Sequence, residues 1–342
     1  MQKKNGIDQI ADAIISALEK GEAPWQRPWD ASASSSLFAT NPTTGASYRG
    51  ANRLMLAIQG RSDNRWMTFN QAKAKGWKIK KGEKGVPIVK FVDHEFSKET
   101  ENEQGEKEIS KEKALVAKTY FVFNGEQIEG IPPLEMKDVI ERDLGDISRA
   151  EIMIEALIER TGLSVRHGGD KAFYSPGSDL IQMPTKESFH SGYDWAATAL
   201  HEASHSTLHE KRLDRKEALG KRFGDQAYAL EELRAEISSF FLAGETGISQ
   251  TEEHRQNHSQ YCGSWLKALK NDKREIIRAC SDAERICGFI LDNEKEFLKE
   301  RQETKRKESV ANAAGMEAVM RHRAAIAAKA PKAPAPAIRI SI

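Results

Sequence analysis

Five residues near the middle of the chain, His201-Glu202-Ala203-Ser204-His205, limit what it can fold into more than any other stretch. An apolar run leads into them, and no Pro or Gly interrupts Trp195 to His209, so a helix is expected with Asp194 as its N-cap. Positions four apart share a helical face, which points both imidazoles the same way and leaves Glu202 beside them. This is a zinc-hydrolase geometry. Two neutral imidazoles would hold Zn²⁺ at about 2.0–2.1 Å, a third side chain would complete the protein ligands, and water would take the open position. Such a water has a pKa lowered towards roughly 7, and Glu202 is the candidate base that accepts its proton. Two surface histidines on an amphipathic helix would show the same spacing.

The third ligand sets the class of hydrolase. An elongated motif needs a further His six residues after His205, but that position is Lys211, and His209 comes too early. A glutamate from a following helix is the other common solution. The run Tyr228-Ala-Leu-Glu231-Glu232-Leu-Arg-Ala-Glu236 supplies candidates, with Glu232 and Glu236 one helical turn apart on a shared face. Glu236, leading the more apolar part of that helix, is the favoured ligand. Glu232 is the alternative ligand or a partner that orients a histidine from behind. Both would also fit as solvated helix carboxylates.

At 342 residues the chain has room for about two domains. Charge is balanced overall, with 52 Lys and Arg against 51 Asp and Glu, so any charged surface must come from local sorting. Cys262, Cys280 and Cys287 form no C-x-x-C and are odd in number, which argues against a disulfide framework and for a reducing compartment. The N-terminus lacks a signal-peptide core, and no run approaches the roughly 20 apolar residues of a membrane span. A cytoplasmic protein without membrane attachment is expected.

Ile7 to Leu18 has apolar residues at helical spacing and ends at Gly21 and Pro24. A turn-rich stretch with Trp25, Trp29, Tyr48, Arg49 and Arg53 follows and feeds a short helix from about Asn52 to Ile58. From Arg65 to Lys90 the only acid is Glu83, and Trp66, Phe69 and Trp77 are interleaved with lysines. That mixture suits single-stranded nucleic acid: cations meet phosphates, and each aromatic stack on an unpaired base contributes roughly 1–3 kcal/mol. A solvated lysine face around a small core that buries Trp66 and Trp77 explains the same residues.

Val86–Val92 and Ala114–Phe123 are predicted strands, with the Glu/Lys-rich insert 97–113 between them as a mobile hairpin tip. Residues 134–145 are charged and form the expected linker. A helix capped by Asp146 or Ser148 and ended by Gly162 comes next, followed by short strands near 163–184, of which Leu180–Met183 fits equally as an edge for pairing with an extended peptide and as an ordinary internal strand. His254 and His258 lack an intervening glutamate and a third ligand, so no second zinc site is expected there. A long amphipathic helix spans 276–297, and the basic, Ala/Pro-rich residues 301–342 are an expected disordered tail.

In this order the chain resembles the ArdC-type antirestriction proteins of mobile elements and bacteriophages. The N-terminal half carries the resemblance in Ala23-Pro-Trp25, Tyr48-Arg-Gly-Ala-Asn52, Trp66-Met-Thr-Phe-Asn-Gln71, Gly76-Trp-Lys-Ile-Lys-Lys-Gly82-Glu-Lys-Gly85 and Val122-Phe-Asn124. In the C-terminal half it rests on Tyr174-Ser-Pro176, Ile181-Gln-Met-Pro184, His201-Glu-Ala-Ser-His205, Arg212-Leu213 and Glu231-Glu-Leu-Arg-Ala-Glu236. The resemblance implies an α+β protein of two domains. A small mixed α/β single-stranded-DNA-binding domain, residues 1–133, precedes a mainly helical zincin-like metallopeptidase domain, residues 146–300. It also implies a role in shielding incoming DNA from host restriction during conjugation or infection. The metal motif falls on His201, Glu202 and His205, and the downstream carboxylates on Glu232 and Glu236. Ala203-Ser204 departs from the usual apolar-small pair without touching the chemistry.

The expected cofactor is Zn²⁺, with another divalent metal as the alternative, and the expected partners are single-stranded DNA and a protein substrate that the sequence does not name. Candidate DNA contacts are Trp25, Arg49, Asn52, Arg53, Trp66, Lys73, Trp77, Lys78, Lys80, Lys81 and Lys84. Two other readings stand beside this one: a DNA-coating protein whose zinc site is structural or vestigial, and a regulatory metallopeptidase without a DNA role.

Overall fold

The chain opens on an amphipathic helix, α1 (Gly6–Glu19), whose N-cap Asn5 accepts the Asp8 amide at 2.9 Å. The structure, a computed structural model, describes residues 5–21, 39–101, 107–134, 145–215, 226–246 and 262–329. Ile10, Ile14 and Leu18 put one face of α1 into the core. A Cβ on its first residue, Gly6, would lie 2.2 Å from Thr119 Oγ1, so any larger residue there would require the Thr119 side chain to shift. Next come α2 (Gly50–Ala57), β1 (Trp66–Thr68), α3 (Phe69–Ala74), β2 (Lys78–Ile79), β3 (Val86–Glu101), β4 (Lys107–Asn124) and β5 (Ile128–Glu129). A capping box starts α3: Thr68 and Gln71 satisfy each other's backbone amides.

β4 is the centre of a three-stranded antiparallel sheet in the order β1-β4-β3, and β2 pairs with β5. The charged insert between the predicted strands is itself paired. The β3–β4 hairpin keeps register from Val86↔Val122 out to Glu101↔Lys107, leaving 102–106 outside the described residues. Opposite charges facing across the ladder, as in the Glu95–Lys113 ion pair at 3.3 Å, let a polar sequence hold strand pairing.

The C-terminal half contains α4 (Gly145–Thr161), β6 (Ser164–His167), β7 (Phe173–Ser175), β8 (Leu180–Met183), α5 (Gly192–Ser206), α6 (Gln226–Thr246), α7 (Cys262–Asn271) and α8 (Glu275–Lys329). Its small sheet has the order β6-β8-β7, with β6 and β8 parallel. Of the two readings open from sequence, Leu180–Met183 is the internal strand and not a free edge: hydrogen bonds on both sides are already used, and β6 and β7 form the edges. The cap of α5 is Ser191, not Asp194. Ser191 Oγ accepts the Asp194 amide at 3.2 Å and donates to Asp194 Oδ2 at 2.6 Å, so the helix starts a turn earlier.

The two halves share their largest core. Ile10, Ile14, Leu18, Leu54 and Met55 from α1 and α2 belong to the same buried cluster as Leu157, Phe241, Trp265, Ile276 and Cys280 from the C-terminal helices. Residues up to Asn293 form one unit. From Glu294 onward lies a second unit, and where the sequence led us to expect no regular structure, the helix runs on to Lys329. Ala, Glu, Lys, Arg and Met dominate that stretch and favour a helix even with residues 301–322 exposed on every side. The expected linker, apart from Leu134 and Gly145, lies outside the described residues, as do Trp25, His254 and His258.

This sharing makes a direct prediction. A fragment of residues 1–133 exposes Ile10, Ile14, Leu18, Leu54 and Met55, each losing roughly 1.5–3 kcal/mol of burial. We expect it to give no cooperative thermal unfolding transition by circular dichroism, whereas residues 1–300 give one. A sharp transition in the fragment would show that the N-terminal half folds without its neighbour.

Candidate metal centre

α5 and α6 pack against each other, and the site lies where their polar faces meet. α5 is alanine-rich up to its histidines and then stops. Ser204 Oγ, Ser206 Oγ and Thr207 Oγ1 donate back to the carbonyls of Leu200, Ala203 and Ser204 at 2.6–2.8 Å, which closes the last turn with local hydrogen bonds. α6 buries Leu233, Ile237 and Phe241, as an amphipathic helix should, but it also buries Glu231, Glu232 and Glu236, the last only 1% exposed. Buried carboxylates need partners, and α5 supplies them.

The imidazoles of His201 and His205 face each other through their Nε2 atoms, 3.1 Å apart. Glu232 spans them, with one oxygen 3.6 Å from each Nε2. On the far side of each ring a different carboxylate waits: Glu236 Oε1 lies 3.3 Å from His201 Nδ1, and Glu231 Oε1 lies 3.3 Å from His205 Nδ1. The ligand atoms of His201, His205 and Glu232 all lie within 4.8 Å of one another. The geometry distinguishes the two candidate carboxylates named from sequence. Glu232 sits with the two converging nitrogens, and Glu236, although the more deeply buried, meets the opposite ring nitrogen.

Glu231 is fixed in turn by Arg215, which donates from Nη1 to Oε2 at 2.8 Å and from Nη2 to Oε1 at 3.1 Å. The same guanidinium reaches Thr207 Oγ1 at 2.9 Å, tying the end of α5 to α6. Neither role stands out in the sequence. The signal there is slight, a third carboxylate directly before Glu232 and an arginine beyond the helix end. Arg212, part of the family resemblance, braces a neighbouring turn: it donates to Ser206 O at 2.6 Å and pairs with Asp179. His209 turns away to that same Asp179, with its Nδ1 3.8 Å from the carboxylate, and accepts the Lys211 amide.

The electrostatics favour a cation. Burial pushes both imidazoles towards the neutral form, but the facing carboxylates outweigh it, holding His205 up at about 9 and His201 well above its ordinary value. Burial likewise raises Glu231 and Glu232, yet the histidines, and for Glu231 also Arg215, bring both below the usual carboxylate range. Glu202, Glu231, Glu232 and Glu236 crowd four carboxylates around the two imidazoles and the guanidinium of Arg215, and a divalent cation at the converging nitrogens would take the place of the imidazole protons. Two imidazoles and one carboxylate form a donor set that suits such an ion. Glu202 is 7% exposed, and its carboxylate makes no hydrogen bond or ion pair among the described residues.

The candidate DNA contacts divide. Lys73, Lys78, Lys80, Lys81, Lys84 and Arg49 are exposed. Trp66 is 2% exposed and packs with Leu56, Ile88 and Val122, and Trp77 lies half-buried against Met67, Ala72 and Ile128. Asn52 grips β3, donating to Val89 O at 2.7 Å and accepting Val89 N at 2.8 Å. Arg53, 3% exposed, pairs with Glu245 at 3.2 Å and Glu284 at 3.5 Å and lies over the Phe241 ring. Trp66, Asn52 and Arg53 are therefore framework residues. Their polar or aromatic groups meet buried protein partners.

Comparison with known proteins accords with both halves. Residues 4–123 match the profile described as the N-terminal domain of anti-restriction factor ArdC, and residues 152–282 match that of a zincin-like metallopeptidase. Two Escherichia coli proteins named DNA primase TraC are 42% and 40% identical over 309 and 311 residues, in each case 87% of this chain. The chain spans only 28% and 20% of their lengths. A Sinorhizobium fredii protein, y4eC, is 33% identical over 83% of this chain and 90% of its own length. The metal-free crystal structure of the antirestriction ArdC protein from the R388 plasmid superposes with a TM-score of 0.65 at 34% identity, covering 85% of this chain and 98% of that one. Its Mn(II)-bound form gives 0.65 at 32% identity, covering 84% and 97%. With nearly the whole of that structure covered, and both halves matched in order, this chain belongs to the ArdC family of antirestriction proteins.

Proposed function

We propose that this chain protects incoming DNA from restriction by binding it as a single strand with residues 1–133, and that residues 146–300 carry a zinc-dependent peptidase centre. One observation carries the second half of this reading: two Nε2 atoms converge with Glu232 while each Nδ1 faces its own buried carboxylate. Histidines that bind metals are oriented in this way, by carboxylates that hold the other ring nitrogen and fix the tautomer. His201, His205 and Glu232 would hold the ion, and Glu236 and the Arg215-braced Glu231 would keep both Nδ1 protons in place. The solved plasmid relative with Mn(II) supports a divalent ion, and the His/His/Glu donor set favours zinc.

When bound, the ion would act as a Lewis acid, polarising a carbonyl and making water acidic enough to lose its proton near neutral pH. The chain's own contribution to bond cleavage is proton management. Glu202, buried and without another partner among the described residues, would take the proton of the attacking water on its carboxylate and return it to the departing amine nitrogen. Arg215 acts at one remove, since it holds Glu231 and through it the His205 ring.

Three outcomes test this reading. Glu202→Gln should keep stoichiometric metal, measured by elemental analysis, and lower hydrolysis of fluorescent casein by roughly 10²–10⁴-fold, assayed with and without single-stranded DNA; unchanged cleavage would remove Glu202 from the mechanism. Glu231→Gln should weaken Zn²⁺ binding by about 10–100-fold in a chelator competition, the range for losing a group that orients a ligand. A labelled single-stranded oligonucleotide titrated with the full chain should bind more tightly than the duplex, with affinity falling as salt rises. Absence of binding at low salt would leave the metal centre as the main activity.

A further inference from the structure

The β3–β4 hairpin sorts its side chains by face. Alternate residues of a strand point to opposite sides, and cross-strand partners share a side. Val86, Ile88, Lys90, Val92 and His94 therefore lie on one face with Val122, Tyr120, Lys118, Val116 and Ala114. That face carries no carboxylate along this length. The opposite face holds Asp93 and Glu95, the latter paired with Lys113.

Lys90 and Lys118 are direct register partners, and both are exposed. Neither makes an ion pair or hydrogen bond among the described residues. Like charges directly opposite each other destabilise a ladder, so an acidic or neutral residue at either place would serve the fold better. One residue pair inward, Tyr120 is 39% exposed, and its hydroxyl likewise has no partner among the described residues. One pair outward, Val92 and Val116 continue an apolar floor, Val116 being 38% exposed. Two unpaired cations, an available aromatic face and a strip of apolar surface in line are what a single strand requires: phosphate neutralisation and a platform for unstacked bases. The exposed lysines of residues 78–84 lead directly into β3. Gly85 sits so close to β4 that a Cβ there would lie 3.0 Å from Phe121 Cβ.

We infer that the β3–β4 face bearing Lys90, Lys118 and Tyr120 is the track for a single strand, continuing the lysine turn at its base. The lysine pair clamps backbone phosphates, and Tyr120 stacks on a base. This inference rests on the single-strand reading above and assigns the stacking role that buried Trp66 does not fill.

The test uses the full chain and fluorescein-labelled oligothymidylate, with anisotropy followed at several salt concentrations. Lys90→Ala/Lys118→Ala should bind at least tenfold more weakly at low salt, and the slope of log affinity against log salt should shrink by about 1.4, or roughly 0.7 for each phosphate of a single strand that is no longer neutralised. Tyr120→Leu keeps an apolar side chain and should lose about fivefold to a hundredfold in affinity with little change of slope. Lys267→Ala/Lys270→Ala, on exposed residues of α7, should match wild type. If wild type binds and the hairpin variants bind equally with the same slope, the track is overturned and the single-strand reading stands. If wild type fails to bind at low salt, both fall. Equal affinity for duplex would overturn the stacking role of Tyr120. Melting curves that match wild type establish that any loss is local, and if Tyr120→Leu does not fold, the lysine pair decides.

Discussion

The burial of carboxylates between α5 and α6 is the constraint on which the C-terminal half depends. Glu231, Glu232 and Glu236 occupy the packed side of a helix that otherwise buries leucine, isoleucine and phenylalanine. Removing three carboxylates from water is tolerable only if positive or hydrogen-bonding groups meet them, and the two histidines and Arg215 are placed to do so. A fold optimised for stability alone would put apolar side chains at these positions. The polar cluster also explains why α5 ends as it does: the Thr207 hydroxyl serves both the helix terminus and Arg215, so the guanidinium that braces Glu231 is fixed by the same turn that ends the helix.

A second set of buried polar contacts joins the halves. α6 carries the metal-centre carboxylates, and further along the same helix Phe241 and Glu245 meet Arg53 of α2. The neighbouring Asn52 holds the backbone of β3 at Val89 through both its amide and its carbonyl. Hydrogen bonds and packing thus run without a break from the hairpin to the helix that presents Glu232. With α1 and α2 in the same core as α7 and the start of α8, the N-terminal half sits against the metal-bearing helices and is not tethered to them at a distance.

How much of this was legible in the sequence depended on the range of the interaction. The His201/His205 pair follows from spacing on one helix, and so does α1. The choice between Glu232 and Glu236 does not, because it depends on how α6 is rotated against α5, and that rotation is set by apolar packing around Leu233, Ile237 and Phe241. Burial depth does not follow position in the site: the deeper carboxylate meets the back of a ring, and the shallower one meets the converging nitrogens. Trp66 looked like a stacking residue because its neighbours in sequence are basic, but its neighbours in space are Leu56, Ile88 and Val122. Tyr120 was hidden in a strand that read simply as β-branched and aromatic. Only the register places it beside Lys118 and Lys90, on a face that has no acid between positions 86–94 and 114–122.

The framework role of Arg53 also bears on what the charge of the N-terminal half can do. A cation clamped by Glu245 and Glu284 and covering Phe241 is neutralised inside the protein and adds almost nothing to the field outside. The lysines at 73, 78, 80, 81, 84, 90 and 118 keep their charge in solvent, and the hairpin concentrates the last two at one register position. The near-zero net charge of the whole chain therefore conceals a surface whose positive field is local and directed. In the proposed complex, counterions condensed on a single strand would be released where that field meets the phosphates, and burying Arg53 would confine the release to the lysine turn and the hairpin face.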